Sequence, residues 1–281
     1  MVGAFLTLLV SLTSQLLASD TATILFAGDA MQHQRQLDAA CRPDGVYDYT
    51  ECFAATAPYV RAADYAVVNL ETPLGGAPYS GYPMFCAPDS YLDALVDAGF
   101  DFFLGANNHA LDRRDRGVRR TVDRFIARGL PFAGIYRNAA MRDSVMPRIV
   151  NVKGFRIGIL NYTYGTNGIE IREDVVVDPI DPDLIARDIE AARKGGAELI
   201  AACIHWGDEY HLLPNSSQKR LADRLAALGV DMVIGGHPHV IQPMELRVDS
   251  VTGKRCFVVY SLGNFISAMR TTDTRGGALA R

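Results

Sequence analysis

The chain has 281 residues, of which 49% are hydrophobic and 21% are charged, and its formal net charge at pH 7 is −4. This length and apolar content suffice for one large domain with a buried core, and no break in the sequence demands two. The near balance of charge, without a basic stripe, argues against a nucleic-acid-binding protein.

The N-terminus contains a short apolar run, Ala4–Ala18 (AFLTLLVSLTSQLLA). A membrane span needs about 20 apolar residues, so the run instead predicts a signal peptide over residues 1–19 that precedes a domain over residues 22–281. No Lys or Arg precedes Arg35, so the usual basic start is missing. An uncleaved anchor and a buried helix are therefore the alternatives. We expect export, to the periplasm, the cell surface or the membrane.

Seven short apolar runs predict β-strands: Thr23–Ala27, Tyr65–Leu70, Phe102–Gly105, Phe155–Leu160, Leu199–Ile204, Met232–Ile234 and Phe257–Leu262. Helix-length amphipathic stretches lie between them, at Ser90–Ala98, Asp115–Arg128, Pro182–Lys194 and Ser216–Leu228. Buried strands that alternate with helices are typical of an α/β sheet covered on both faces. Met146–Leu160 and Ile241–Tyr260 look like antiparallel hairpins, which predicts a mixed sheet or two packed sheets. Residues 276–281 resemble the start of a further strand, so we expect the domain to continue beyond residue 281.

Five cysteines are present, and none shows C-x-x-C spacing, so no structural zinc ribbon is indicated. Cys203 and Cys256 lie within apolar runs and are predicted core residues. In an exported chain, the loop-like Cys41, Cys52 and Cys86 would permit one disulfide, for which Cys41–Cys52 is the favoured pair.

Polar residues that bind metals follow most of the apolar runs. In open α/β sheets, ligands bind beyond the carboxyl ends of the strands, so these side chains are expected to converge. Their carboxylates, amide and imidazoles suit Mn²⁺, Fe²⁺ or Zn²⁺. Each histidine alone would more often be a turn residue, and only the set indicates a metal site. The candidates are Asp29, Glu71, Asn108, His109, His205, His237 and His239.

The segment His237-Pro-His239 is the sharpest local pattern. Two histidines at positions i and i+2 of an extended segment point to the same side, so both rings can approach one ion. Gly235 and Gly236 precede them and allow close approach of the backbone.

The motifs GDAM, NLE, ANNHALD, HWGDEY, GGHPH and YSLGN together resemble those of the CapA, or poly-γ-glutamate capsule biosynthesis, family, from about Thr23 to the end of the chain. That family is related to the calcineurin-like metallophosphoesterases. The resemblance implies a four-layer α/β/β/α fold of two packed mixed sheets, with a metal site that holds one or two divalent ions.

By this resemblance, six residues would be metal ligands: Asp29, Glu71, Asn108, His205, His237 and His239. Glu71 takes the position that bridges two ions. His205 and His237 would hold one ion, and His239 would hold the other with Asp29 and Glu71.

One position departs from the phosphoesterase pattern. Met31 stands where those enzymes have a histidine, and His33 substitutes for it only if the loop bends. A mononuclear or weakly dinuclear site is therefore an alternative to the full pair of ions.

The resemblance also assigns His109 as the general acid, and Asp112, three residues later, is its expected partner. Asp112 has an alternative role as the cap of the helix that follows. Asp208 and Glu209 either orient a histidine or are exposed.

Two further features have open alternatives. Trp206, the only tryptophan, forms a pocket wall or a core lid. The loop Thr72–Pro88 forms a binding surface or packs onto the domain.

Three functions remain as hypotheses. The first is a metal-dependent hydrolase of a phosphoester or a γ-glutamyl amide bond, acting on an anionic polymer or a small substrate. The second is a non-catalytic partner of membrane-bound machinery that assembles or exports an anionic surface polymer. The third, a metallo-amidohydrolase on a (β/α)₈ barrel, ranks last because it expects its His-x-His pair after the first strand. None of them involves nucleic acid.

Overall fold

A computed structural model describes residues 21–281, and the predicted signal peptide or anchor over residues 1–19 lies outside the described residues. The strands are β1 (Ile24–Ala30), β2 (Tyr65–Leu70), β3 (Phe102–Leu104), β4 (Phe132–Ala133), β5 (Ile135–Tyr136), β6 (Arg148–Val152), β7 (Phe155–Thr163), β8 (Val176–Val177), β9 (Leu199–His205), β10 (Met232–Gly236), β11 (Met244–Val248), β12 (Arg255–Val259), β13 (Asn264–Ile266) and β14 (Leu279–Ala280). The helices are α1 (Gln34–Ala40), α2 (Ala57–Arg61), α3 (Asp89–Ala98), α4 (Arg114–Ala127), α5 (Ala139–Val145), α6 (Pro182–Lys194) and α7 (Ser216–Ala227). Over residues 21–281, no helix has the length and apolar character needed to cross a membrane.

The strands form two six-stranded mixed sheets. In the first, the order is β13-β1-β2-β3-β4 with all neighbours parallel, and β14 pairs antiparallel with β1. In the second, the order is β11-β12-β10-β9-β7-β6, with a parallel centre and antiparallel strands at both edges. Strands β5 and β8 form a small separate ladder.

Alternation along the strands creates the layers. Successive strand residues point to opposite faces, so Phe26 of β1 packs between the two sheets while Leu25 packs beneath the helices of the first sheet. In β7, Ile159 points to the core between the sheets and Leu160 points to α6 and α7. Helices α3 and α4 cover the first sheet, and α6 and α7 cover the second. The fold is therefore the expected four-layer α/β/β/α sandwich, and the (β/α)₈ barrel hypothesis is wrong.

The predicted elements mostly match this architecture. All seven apolar runs contain strands, although the last run continues past the end of β12 at Val259. The four predicted helices correspond to α3, α4, α6 and α7, and the two predicted hairpins are β6–β7 and β11–β12. Strand β14 confirms the further strand near the C-terminal residue. The remaining helices have seven residues or fewer, too short for a clear periodicity.

All five cysteines are free, so the preferred Cys41–Cys52 pair is wrong. Both of these thiols are exposed. Cys203 and Cys256 are core residues, as predicted, and Cys86 is also buried, with its Sγ 3.2 Å from the carbonyl oxygen of Gly76.

The first sheet contains a close backbone approach beside the strand ends. A Cβ atom added to Gly28 would lie 1.9 Å from the carbonyl oxygen of Gly263, and the same oxygen accepts a hydrogen bond from the Asp29 amide at 3.1 Å. We expect Gly28→Ala to lower the free energy of unfolding by about 1–3 kcal/mol, because the backbones must separate. Urea unfolding measures this change. Gly165→Ala is the control, since its added Cβ meets no atom within 4 Å, and an equal effect of both substitutions would contradict the account.

Candidate metal centre

The candidate residues meet where the carboxyl ends of the central strands of both sheets come together. Asp29 lies in β1 and His205 in β9, and Glu71 and His237 directly follow β2 and β10. Asn108 and His109 follow β3 by a few residues, and His239 comes two residues after His237. All seven candidate residues are buried, at 4% exposure or less. The structure thus brings together every predicted site residue of the strand-end set: Asp29, Glu71, Asn108, His109, His205, His237 and His239.

Glu71 lies at the centre of the site. It belongs to two groups whose ligand-type atoms all lie within 4.8 Å of one another, one with His205 and His237 and one with Asp29 and His239. Its Oε1 atom is 3.6 Å from Nε2 of His205 and 3.9 Å from Nε2 of His239. A single carboxylate shared by two groups is the arrangement expected of a residue that bridges two cations.

Neither carboxylate oxygen of Glu71 has a hydrogen-bond partner among residues 21–281. Burial, and then the negative charge of Asp29, raise the pKa of Glu71 well above its usual value. A buried carboxylate without a partner is costly for a folded chain, and cations are what most readily compensate it.

Unlike Glu71, Asp29 has a hydrogen-bond partner at both of its carboxylate oxygens. Its Oδ1 atom accepts a hydrogen bond from the Asn69 side chain at 2.7 Å, and its Oδ2 atom accepts one from the His237 amide at 3.1 Å. Burial acts to raise the pKa of Asp29, but its hydrogen bonds with His239 and Asn69 act against burial, and the pKa is lowered from its usual value. Asp29 is therefore the ionised carboxylate of the site.

Burial favours the neutral form of His205 and His237. Burial, and then the neighbouring His239, lower the pKa of His237 to about 4, and burial together with His237 lowers the pKa of His205 well below its usual value. The Nδ1 atom of His237 has no hydrogen-bond partner within residues 21–281. A neutral imidazole is the form that binds a metal ion, so binding at these two rings requires no net loss of a proton.

The amide of Asn108 completes one side of the cluster. Its Oδ1 atom lies 2.8 Å from Nε2 of His205, while its Nδ2 group donates to Oδ1 of Asn167 at 3.2 Å. The amide orientation thus presents an oxygen, the metal-binding atom of asparagine, towards the histidines.

The local geometry of the His237-Pro-His239 segment differs from the prediction. Both histidines have positive φ angles, +98° and +58°, so the segment is a tight turn and not an extended strand. The two rings nevertheless come together, with centroids 5.9 Å apart. The turn follows β10, and the added Cβ of Gly236 would lie 2.8 Å from Oδ1 of Asp29, so the glycine keeps this space free.

His109 and Asp112 form a buried pair beside the cluster. The His109 Nδ1 atom lies 2.8 Å from Oδ2 of Asp112, and the same oxygen accepts the Phe85 amide at 2.7 Å. The ring of Phe85 packs edge-on against His109 with centroids 4.6 Å apart. Because Oδ2 of Asp112 acts as an acceptor, the His109 proton of this bond resides on Nδ1, and Nε2 is left for another partner.

Asp112 is not the cap of the following helix. Helix α4 begins at Arg114, its N-cap residue is Arg113, and no side chain caps it. The predicted pairing with His109 is thus the arrangement that the structure shows, and the cap alternative is wrong.

The chain is similar to known proteins in both sequence and fold. The family described as bacterial capsule synthesis protein PGA_cap matches residues 23–269. The chain belongs to this family. It is 27% identical over 274 residues to the capsule biosynthesis protein CapA of Bacillus anthracis, covering 94% of this chain and 64% of that protein. It is 29% identical over 276 residues to the PGA biosynthesis protein CapA of Bacillus subtilis (strain 168), covering 94% and 68%. The chain thus spans about two thirds of the length of these capsule synthesis relatives.

The structure of Haemophilus influenzae NAD nucleotidase (NadN) is similar in fold. It matches with a TM-score of 0.55 and 12% identity, covering 92% of this chain and 55% of that protein. The chain thus shares its fold with part of this nucleotidase.

Two asparagines of this family member orient the site and were not predicted as site residues. Asn69 donates to Asp29, and Asn264 Oδ1 lies 3.0 Å from Nδ1 of His239. Both lie in the NLE and YSLGN motifs, but neither was among the predicted ligands. Asn264 also donates to the carbonyl oxygens of His239 and Thr274, which fixes the turn.

Glu209 and Asp208 have different roles. Glu209 forms a third group with His237 and His239, and its Oε1 atom is 3.9 Å from Nε2 of His239. Its side chain is 39% exposed. Asp208 instead accepts a hydrogen bond from Asn215 at 2.8 Å and belongs to none of the groups formed by residues 21–281.

Met31 and His33 do not add a ligand in this structure. Met31 is buried, and its backbone carbonyl accepts hydrogen bonds from Gln36 and Tyr91. His33 is only partly buried, and its Nδ1 atom accepts the amide of Ala268 at 3.2 Å. His33 belongs to none of the groups of possible metal ligands formed by residues 21–281. The side of the metal site near Met31 therefore has fewer metal-binding atoms.

Proposed function

We propose that this capsule synthesis family member is a divalent-metal-dependent hydrolase that cleaves a phosphoester or γ-glutamyl amide bond of an anionic cell-surface polymer. The observation that carries the proposal is Glu71, whose two unpartnered and buried carboxylate oxygens face neutral histidines on one side and ionised Asp29 on the other. A divalent cation would satisfy all of these groups together.

The residues present fit one or two ions of Mn²⁺, Fe²⁺ or Zn²⁺. Oxygen and imidazole donors without thiolate are the donor set for these metals. A bound ion would supply Lewis-acid polarisation of the scissile bond and a more acidic water. The residues that would hold it are Asp29, Glu71, Asn108, His205, His237 and His239, with Glu209 as a further donor.

His109 supplies the proton in this proposal. Asp112 holds Nδ1 of His109, so Nε2 carries or releases the exchangeable proton. Proton transfer from Nε2 to the leaving oxygen or nitrogen is general acid catalysis. Phe85 fixes Asp112 through its amide and packs against the imidazole ring, so the pair is held in one orientation.

The expected location follows from the proposed substrate. A protein that acts on a capsule polymer meets it outside the cytoplasm, so we propose export through the N-terminal segment. The partners would be the anionic polymer itself and membrane-bound machinery for its synthesis or export. The relatives' names, capsule biosynthesis and PGA biosynthesis, support the polymer as substrate.

A second candidate is a metal-binding but non-catalytic partner in polymer assembly or export. The observation that favours it is Met31, which places a thioether where phosphoesterases have a histidine ligand. In this case His237→Ala would abolish capsule formation, whereas His109→Ala would leave it intact.

One assay tests the proposed function. The purified chain is stripped with a chelator and reloaded with Mn²⁺ or Zn²⁺, then incubated with bis(p-nitrophenyl) phosphate and with a γ-linked glutamate oligomer. We expect metal-dependent hydrolysis of at least one of them, and loss of this activity in His237→Ala. A metal-loaded chain that hydrolyses neither substrate would overturn the hydrolase proposal and favour the second candidate.

A further inference from the structure

A cavity of about 450 Å³ opens next to the metal-site histidines. Tyr164 and Trp206 contribute aromatic surface to it, and Leu221 contributes an aliphatic surface. Arg220 and Arg224, one helical turn apart on α7, also line it. No carboxylate side chain of residues 21–281 is among its lining residues. The cavity therefore combines an apolar wall with an excess of positive charge.

Both guanidinium groups are weakly engaged. Within the described residues, the Arg220 side chain donates one hydrogen bond, to Oγ of Ser217 at 3.1 Å, and forms no ion pair. Arg224 lies 3.4 Å from Asp183, and both of these side chains are strongly exposed, at 49% and 83%. An exposed ion pair of this length contributes little to stability. Each of the two arginines can therefore bind another anion.

Tyr164 lies between the cavity and the histidine cluster. The Tyr164 ring lies 4.6 Å from the His237 ring, centroid to centroid, and stacks parallel to His205 at 6.4 Å and 8°. Tyr164 is about half exposed and also lines the cavity. A ligand held at the histidines can therefore extend across Tyr164 towards the arginines.

We propose that this cavity is a substrate subsite in which Arg220 and Arg224 bind a free carboxylate of a γ-glutamyl chain whose neighbouring bond lies at the metal centre. The inference rests on the proposed function and names the substrate feature that the site recognises. Every residue of a γ-linked glutamate chain carries one free α-carboxylate, and the planar guanidinium fork matches a carboxylate with two hydrogen bonds. A phosphate group also forms two hydrogen bonds with a guanidinium group, so inorganic phosphate is tested as the alternative anion.

The fluorescence of Trp206 allows ligand binding in the cavity to be measured without any catalytic activity. It is the only tryptophan of the chain, it lines the cavity, and its Nε1 group donates to the Tyr260 carbonyl oxygen at 2.9 Å, which holds the ring in place. Intrinsic tryptophan fluorescence therefore reports occupancy of this cavity. The titration is made in the presence of a chelator, so that the signal does not depend on a bound metal.

The probes are a γ-linked glutamate trimer, the same trimer with its α-carboxylates amidated, and inorganic phosphate. We expect saturable fluorescence change with the carboxylate trimer, and a Kd about tenfold higher for the double variant Arg220→Gln/Arg224→Gln. Arg255→Gln is the matched control, because Arg255 is an exposed arginine at the start of β12, the opposite end of the sheet. Its Kd should equal that of the unmodified chain.

Four outcomes would overturn the subsite: no fluorescence change with the trimer, an unchanged Kd in the double variant, equal binding of the amidated trimer, or tighter binding of phosphate than of the trimer. Failure of the proposed function looks different. In that case the trimer binds as expected in the cavity, but the metal-loaded chain does not hydrolyse it.

Discussion

Glu71→Gln is expected to stabilise the metal-free chain and to abolish its stabilisation by metal. The substitution keeps the shape of the side chain and removes a buried carboxyl group whose oxygens have no hydrogen-bond partner within residues 21–281. The free energy of unfolding without metal should rise by about 1–3 kcal/mol, since the amide carries no negative charge in this buried position beside Asp29. With metal at one hundred times the Kd, the unmodified chain should gain about 2.7 kcal/mol, and the variant almost none.

Thermal unfolding with chelator and with added Zn²⁺ measures both effects. Asp188→Asn is the matched control, because this buried carboxylate is satisfied by the Tyr162 hydroxyl at 2.7 Å and by Arg142. We expect the control to lower stability in both conditions and to keep the full metal response. A Glu71→Gln chain that is less stable without metal, or that still responds to Zn²⁺, would contradict the role assigned to Glu71.

His109→Ala is expected to lower kcat by about 10²–10⁴-fold while metal binding stays intact. The reason is that His109 belongs to none of the metal-binding groups of the described chain, yet its Nδ1 atom is held by buried Asp112. Asp112→Asn should give a smaller loss, because the histidine remains but the hydrogen bond that orients it is altered. Steady-state kinetics on the substrate found active, together with metal analysis of each variant, measures these effects.

His211→Ala provides the control for this series. His211 is an exposed histidine outside the metal groups of residues 21–281, so its removal should leave kcat and metal content unchanged. If His109→Ala kept full kcat, or lost its metal together with its activity, the proton-donor assignment would be wrong.

Much of the site was predictable because its metal-binding residues lie at the carboxyl ends of strands. Asp29, Glu71 and His205 each lie at or directly after the last residues of a buried strand, and parallel strands in one sheet end at the same edge. The apolar runs alone could not separate one mixed sheet from two, since the partner of each strand is not encoded in its own pattern. The resemblance to the capsule family supplied that distinction.

The remaining features depend on contacts between distant segments. The positive φ angles of His237 and His239 follow from the packing of their turn against Asp29 and Asn264, more than twenty residues away in sequence. The amide that fixes Asp112 comes from Phe85, 27 residues earlier. Such bonds leave no local periodicity, so the sequence predicted the His-Pro-His segment as extended.

Metal content per chain tests the central claim most directly. The purified chain is equilibrated with Mn²⁺, Fe²⁺ or Zn²⁺, freed of unbound ions by gel filtration, and measured by inductively coupled plasma mass spectrometry. We expect between one and two ions per unmodified chain with at least one of these metals, and a clear loss in Glu71→Gln and in His237→Ala. A folded, unmodified chain that retains none of the three metals would contradict the account.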